Sequence, residues 1–125
     1  MTNLTEGRHA AEFIVSEANG HRSRSTATVA SGEVLVAGQA VQLSGGKLVA
    51  ADGVLDSAGA VVTAVAGIMF DGVDATAGDV EDAVYISRDA EVNQNEVTYP
   101  TETTAGGEQA AVNASLAELG IIARS

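Results

Sequence analysis

The chain has 125 residues, a net charge of −11 and no cysteine. Its length fits a single domain without disulfides, and its acidity argues against binding to nucleic-acid phosphates or anionic membranes. Because it holds only four aromatic residues, we expect a thin core of small side chains that oligomerisation would help to stabilise. No apolar run is long enough to span a membrane, and nothing at the start resembles a signal peptide, so a cytosolic origin is expected.

Charge divides the chain into two parts. Residues 1–28 carry three acids and three bases, and the remainder carries fourteen acids against three bases. We therefore predict a neutral N-terminal arm, 1–28, and an anionic body, 29–125. The arm's apolar run, 13–15, is too short for an independent strand but long enough to add to the edge of another sheet. The alternative is that Phe13 and Ile14 fold back onto the body's own core.

The body has the pattern of short β-strands separated by glycine-rich turns. Apolar residues alternate with polar ones before the Ser-Gly-Gly turn at 44–46, and a second apolar segment follows it, which predicts a hairpin. The long apolar run 60–70 is expected to bend at Gly67. Residues 88–93 are predicted to form a turn, and Pro100 to end the last strand of this region. Predicted strand segments are 34–37, 41–43, 47–50, 83–87 and 96–99.

One helix is predicted, near the C-terminus. The segment 108–119 is rich in alanine, a strong helix former, and Gly120 stands where a helix-ending glycine belongs. Residues 121–122 would then dock or pair as a final short strand. The apolar residues at helical spacing are Val112, Leu116 and Leu119.

Signals for catalysis or metal binding fail on inspection. His9 and His21 lie in the predicted arm, where nothing would hold a general base rigid. The acidic stretch 71–82 departs from calcium-loop spacing, because Thr76 stands where that loop needs glycine. A hairpin turn accounts for Gly45-Gly46-Lys47, which lacks the phosphate-loop pattern. We therefore expect no enzymatic activity, no metal and no cofactor.

Several segments, in their order and spacing, resemble the head decoration proteins of tailed bacteriophages. The similarity extends over nearly the whole chain, and no single motif is diagnostic. The segments that resemble this family are 12–20, 22–24, 47–53, 66–71, 83–87, 97–100 and 119–122.

The resemblance implies a mainly β, β-clip-like body with one short C-terminal helix and an extended N-terminal arm. Such proteins are made in the host cytoplasm and sit as trimers on the outside of the expanded head, at three-fold and quasi-three-fold positions. They bind the major capsid protein and resist internal DNA pressure. We expect Phe13 and Ile14 to anchor the arm and the two arginines to make polar contacts. The predicted capsid-binding residues are Glu12, Phe13, Ile14, Val15, Ser16, Glu17, Arg22 and Arg24.

Ordering a free arm costs about 1–2 kcal/mol per residue, so one arm would bind weakly and three linked arms much more tightly. On this view, deleting residues 1–24 should leave a folded trimer that cannot bind capsids. Two other functions make different demands on the sequence. A trimeric β-clip enzyme would need metal and phosphate-binding motifs that the sequence lacks. An extracellular carbohydrate-binding or adhesion module would need exposed aromatic residues, whereas Tyr85 and Tyr99 fall in strand patterns.

Overall fold

The computed structural model describes residues 13–18, 22–101 and 107–124. These residues form a mainly β fold with one short C-terminal helix, as the sequence predicts. A 3-10 turn spans Gln94–Glu96, and the helix α1 spans Glu108–Glu118. The strands are β1 (Ile14–Glu17), β2 (Arg24–Val29), β3 (Val34–Leu35), β4 (Ala40–Ser44), β5 (Lys47–Ala50), β6 (Val65–Met69), β7 (Val73–Asp74), β8 (Val80–Ile86), β9 (Ala90–Asn93) and β10 (Ile121–Arg124).

Five strands close into a barrel in the order β2-β5-β4-β6-β8. The barrel closes through the pairing of β2 with β5, where Val29 lies opposite Leu48. Along the β2–β8 ladder, Arg24 lies opposite Ile86 at one end and Val29 opposite Val80 at the other. The pair β3–β7 forms a separate two-stranded sheet. One buried apolar cluster contains Val29, Leu35, Val41, Leu48, Met69, Ala75 and Ala83.

A second sheet, in the order β1-β9-β10, packs with α1 over a second buried cluster. In this sheet β9 is central; it pairs antiparallel with β1 and parallel with β10. Within the described residues no helix is long and apolar enough to cross a membrane. The second cluster contains Phe13, Ala40, Ala51, Val65, Ile68, Ile86, Ala90, Val92, Val97, Val112, Leu116 and Ile121.

The described part of the predicted arm belongs to the body. Phe13 is 1% exposed in the second cluster, β1 pairs with β9, and β2 is a barrel strand. The boundary predicted at residue 28 therefore falls inside β2. The sequence concealed this strand because its polar residues cover a partly exposed barrel surface, so it lacks the apolar character of the other strands.

The central hairpin and the C-terminal elements are confirmed. Strands β4 and β5 pair across Gly45 and Gly46, whose positive φ angles of 58° and 82° suit a two-residue hairpin turn. The helix ends before Gly120, which has a φ of 80°, and β10 follows it as the expected final strand. Val112 and Leu116 are fully buried, and Leu119 packs against the same cluster.

Two segments differ from their predictions. Residues 90–93, predicted as a turn, form the central strand β9, whose Ala90 and Val92 face the core. The strand predicted at 96–99 is replaced by the 3-10 turn and by a single bridge between Thr98 and Gln39. The Asn93 side chain accepts a hydrogen bond from the Asn95 backbone, and this local bond favours a turn over a strand.

Within the apolar run 60–70, the regular strand is β6, and Gly67 lies inside it. A Cβ atom at this position would stand 2.0 Å from the carbonyl oxygen of Ile86 on the adjacent strand. Gly67 also has a φ of 156°, which side chains rarely adopt. This glycine therefore permits β6 to approach β8 closely enough to close the barrel.

We expect Gly67→Ala to lower the free energy of unfolding by about 1–3 kcal/mol more than Gly78→Ala, because overpacking adds to the backbone strain. Gly78 is a matched control, since it has the same φ of 156° with nothing within 4 Å of an added Cβ. Urea unfolding at fixed protein concentration measures the difference. Equal losses in the two variants would show that β8 can move aside.

Candidate protein-binding face

The solvent-facing side of the β1-β9-β10 sheet gathers residues from both ends of the chain. Ser16 of β1 and Ile122 of β10 both lie opposite Glu91 of the central strand. Val15 and Ile122 are 56% and 41% exposed, so this surface offers two apolar side chains on either side of a charged centre. We call the surface the outer face, and its residues are Val15, Ser16, Glu91, Ile122 and Arg124.

A β-bulge in β1 shapes this face. The register of β1 against β9 shifts between Ile14 and Ser16, so one extra residue, Val15, is inserted there. Ile14 remains packed against the core, while Val15 and Ser16 are both exposed. The bulge therefore presents an apolar and a polar side chain together, where regular alternation would turn one of them inward.

Glu91 ties the three strands together through its carboxylate. Ser16 donates its hydroxyl to Oε2 at 3.1 Å, and Arg124 donates Nε to Oε1 at 2.8 Å. The hydrogen bond from Arg124, followed by the one from Ser16, lowers the pKa of the Glu91 carboxyl below its ordinary value of 4.5. The centre of the outer face is thus an ion pair that joins the N-terminal strand to the C-terminal strand.

Ser23 and Arg24 connect β1 to the barrel through hydrogen bonds. The buried Ser23 hydroxyl accepts from the Ala18 backbone at 3.0 Å and donates to the Asp89 carbonyl at 2.7 Å. Arg24 binds Glu17 with two hydrogen bonds, of 2.6 and 3.1 Å, and stacks 4.3 Å from the centre of the Phe70 ring. The Glu17 hydrogen bond raises the pKa of Arg24 above its ordinary value. These contacts hold β1 in place.

The residues predicted to bind a capsid fall into three groups. Phe13 is buried and Ile14 is partly buried in the chain's own core, which is the alternative that the sequence left open. Glu17 and Arg24 are engaged with each other, so their charges are already matched within the chain. The exposed residues of the set are Val15, Ser16 and Arg22. Glu12 and both histidines lie outside the described residues.

Positive charge is concentrated beside the outer face. Four arginines and three carboxylates lie at this end of the molecule, around the start of β2 and the end of β8. The rest of the described chain carries Lys47 and eleven carboxylates. The outer face and its surroundings are therefore the part of the described surface where charge is balanced. The residues at this end are Arg22, Arg24, Arg88 and Arg124, with Glu17, Asp89 and Glu91.

Sequence reasoning missed several residues that build this face. Ser23 gave no signal, because a buried serine cannot be told from an exposed one without knowing its partners. Glu91 and Arg124 are far apart in sequence, and their pairing requires the parallel register of β9 and β10. Ile122 was noticed only as part of a final strand; its alternation with the buried Ile121 is the signal that could have indicated an exposed apolar position.

The acidic loop 71–79 has a structural explanation. Asp74 accepts hydrogen bonds from the backbone and hydroxyl of Thr76, and Asp79 pairs with Lys47 and accepts from the Ser31 backbone at 2.8 Å. Among the residues that the structure describes, no group of three or more His, Cys, Asp or Glu side chains is placed to hold a metal ion. The loop's carboxylates thus serve turn geometry and one ion pair.

The lowered pKa of Glu91 predicts a measurable pH effect. The pairing of this carboxylate stabilises the fold fully above pH 4.5, and this contribution is lost as the pH falls through the lower folded value. We expect Glu91→Gln to lower the urea midpoint at pH 7 and to reduce the further drop between pH 4.5 and pH 2. Glu118→Gln, which removes an exposed carboxylate from α1, is the control for the loss of one negative charge. If the urea midpoint of Glu91→Gln fell between pH 4.5 and pH 2 as steeply as that of wild type, Glu91 would not be the group responsible for the pH effect.

The described residues build a small β-barrel beside a three-stranded sheet whose outer face is partly apolar and charge-balanced. The chain belongs to the bacteriophage lambda head decoration protein D family, whose sequence model matches residues 3–121. This match confirms the resemblance seen in the sequence. The chain is thus a phage head decoration protein, a component of the virion capsid. A comparison with curated proteins gives no match.

Proposed function

We propose that the chain binds the outside of the expanded phage head as a homotrimer, at three-fold and quasi-three-fold positions. Its partner is the major capsid protein, and its role is to stabilise the shell against the pressure of packaged DNA. It is made in the host cytoplasm and acts as a structural protein without catalytic activity. The family match over residues 3–121 carries this proposal.

The outer face is the surface that we assign to the capsid contact. It offers two apolar side chains that are about half exposed, and burying the exposed part of each stabilises a complex by about 1 kcal/mol. It also lies where charge is balanced, so docking there avoids bringing the anionic remainder of the body against the shell. Among the described residues β1 lies at the border of its sheet, so its outer edge could receive a strand of the capsid protein.

Residues 1–12 precede this face directly, because Phe13 immediately precedes β1. We propose that this segment, with Glu12, extends the contact along the capsid. Phe13 no longer serves as a capsid anchor in this scheme; it fixes the point from which the segment starts. Three such segments in a trimer would bind together, and linkage of this kind can raise the apparent affinity by about 10²–10⁴.

Co-sedimentation with expanded, undecorated heads tests the proposal. We expect saturable binding, a solution mass near three times 12.5 kDa by light scattering, and greater survival of DNA-filled heads on heating. Heads that have not expanded are the control and should bind less protein. A chain that stays monomeric at all concentrations, or that binds heads without saturation, would contradict the proposal.

A further inference from the structure

A second exposed apolar surface lies around the β3–β7 pair. Val34 and Val36 are 59% and 44% exposed, while Leu35 between them is buried. Asp74 lies opposite Val34 in the β3–β7 pair, and Asp71 lines the same surface. We call this surface the valine patch, and its residues are Val34, Val36, Asp71 and Asp74.

The carboxylates of the valine patch have only local partners in the described structure. Asp71 accepts from the Gly72 backbone, and Asp74 accepts from Thr76. Neither is paired with a cation among residues 13–18, 22–101 and 107–124. An apolar surface bordered by two unneutralised acids fits a partner surface that is apolar at its centre and basic at its border.

The same chain carries such a surface. A shallow groove on the outside of β2 and β8, of about 400 Å³, is lined by Arg24, Ser25, Thr26 and Val84. Arg88 lies beside it, donating to the Ser25 hydroxyl at 3.1 Å and to the Arg22 carbonyl at 2.6 Å. We call this surface the β2–β8 groove.

Two arginines beside the β2–β8 groove are not fully neutralised by carboxylates of the described chain. Arg88 is exposed and is the cation without a carboxylate partner in the described part of the chain. Arg22 lies 4.0 Å from Asp89, and its side chain is 70% exposed, so this ion pair is weak. Two available cations at the groove thus match two available carboxylates at the valine patch.

We propose that the valine patch of one copy docks on the β2–β8 groove of the next copy, with Asp74 and Asp71 facing Arg88 and Arg22. The two surfaces lie on different strand pairs, β3–β7 and β2–β8, and no ion pair joins them within the described residues. A contact between two different surfaces is head-to-tail and continues from copy to copy until a ring closes. This assignment rests on the proposed homotrimer, and it leaves the outer face free for the capsid.

The first test removes the apolar part of the patch. Val34→Ser/Val36→Ser is expected to raise the protein concentration at which half of the trimer dissociates by at least about tenfold, measured by sedimentation over a dilution series. Val54→Ser/Val62→Ser is the matched control, because these valines are 52% and 62% exposed and flank the isolated bridge between Leu55 and Val61. The control should dissociate at the wild-type concentration.

The second test exchanges the charges. Asp74→Arg and Arg88→Asp should each weaken the trimer by at least about tenfold, and the double variant should recover to within about threefold of wild type. Only a head-to-tail contact between these surfaces gives this recovery; a patch-to-patch contact leaves the double variant weak. Far-UV circular dichroism and the urea midpoint confirm that each variant is folded.

The outcomes separate the two proposals. A wild-type chain that is monomeric at every concentration overturns the homotrimer itself. A wild-type trimer that persists in both the serine variant and the single charge reversals overturns the assignment of the interface alone, and the proposed function then stands without it.

Discussion

Replacing Phe13 with alanine is expected to lower the free energy of unfolding by about 3–5 kcal/mol, the usual cost of truncating a buried aromatic residue. Phe13 is among the largest fully buried side chains of the described structure, in a protein with only two phenylalanines. Its ring lies against Gly38, and its carbonyl accepts from the Asn93 backbone at 2.8 Å. Few other side chains are large enough to fill the space.

The measurement is a urea titration at one fixed protein concentration, since association would shift the midpoint. Val15→Ala provides a control on the same strand; at 56% exposure it should cost less than about 0.5 kcal/mol. Equal midpoints for Phe13→Ala and wild type would mean that the N-terminal strand contributes nothing to the fold.

The burial of Phe13 changes what a deletion experiment can show. The sequence suggested that removing residues 1–24 would leave a folded body, but this deletion removes Phe13, the whole of β1 and the buried Ser23. We expect such a protein to be strongly destabilised, so its failure to bind heads would be uninformative. Deleting residues 2–12 retains these contacts and isolates the contribution of the preceding segment. A folded 1–24 deletion would contradict this account.

The sequence predicted the elements whose signals are local. Gly45 and Gly46 identify a two-residue turn by themselves, and the spacing of Val112 and Leu116 identifies a helix face. The sequence also predicted a polar N-terminal region that differs from the anionic body. That difference in composition corresponds to the charge-balanced end of the folded molecule, although the sequence did not predict that β2 belongs to the barrel.

Other features depend on contacts between distant residues and could not be read locally. Strand β9 is short and follows Arg88-Asp89, so its alternation is visible only once β1 and β10 are known to flank it. The same is true of β2, whose polar residues suit a barrel surface but equally suit a loop. The Glu91–Arg124 ion pair requires a parallel register that no sequence pattern specifies. The candidate face is built by pairing between strands that are distant in sequence, and local secondary-structure propensity does not indicate which strands pair.

Placing charge on the outer face should abolish capsid binding while leaving the trimer intact. In Val15→Asp/Ile122→Asp, two exposed apolar side chains become carboxylates beside Glu91, so the outer face changes from charge-balanced to net negative. Losing the burial of the exposed part of both side chains removes about 2 kcal/mol per copy, which is a factor of about 30 for each contact. We expect no detectable co-sedimentation with expanded heads.

The matched control is Val54→Asp/Val62→Asp, which adds the same two charges at exposed valines that flank the isolated bridge between Leu55 and Val61. It separates the effect of position from that of greater net charge, because general repulsion from the shell would weaken both variants alike. Light scattering should give wild-type masses for both. If the outer-face variant still filled the heads, the capsid contact would lie elsewhere on the body, and residues 1–12 alone would have to carry the binding.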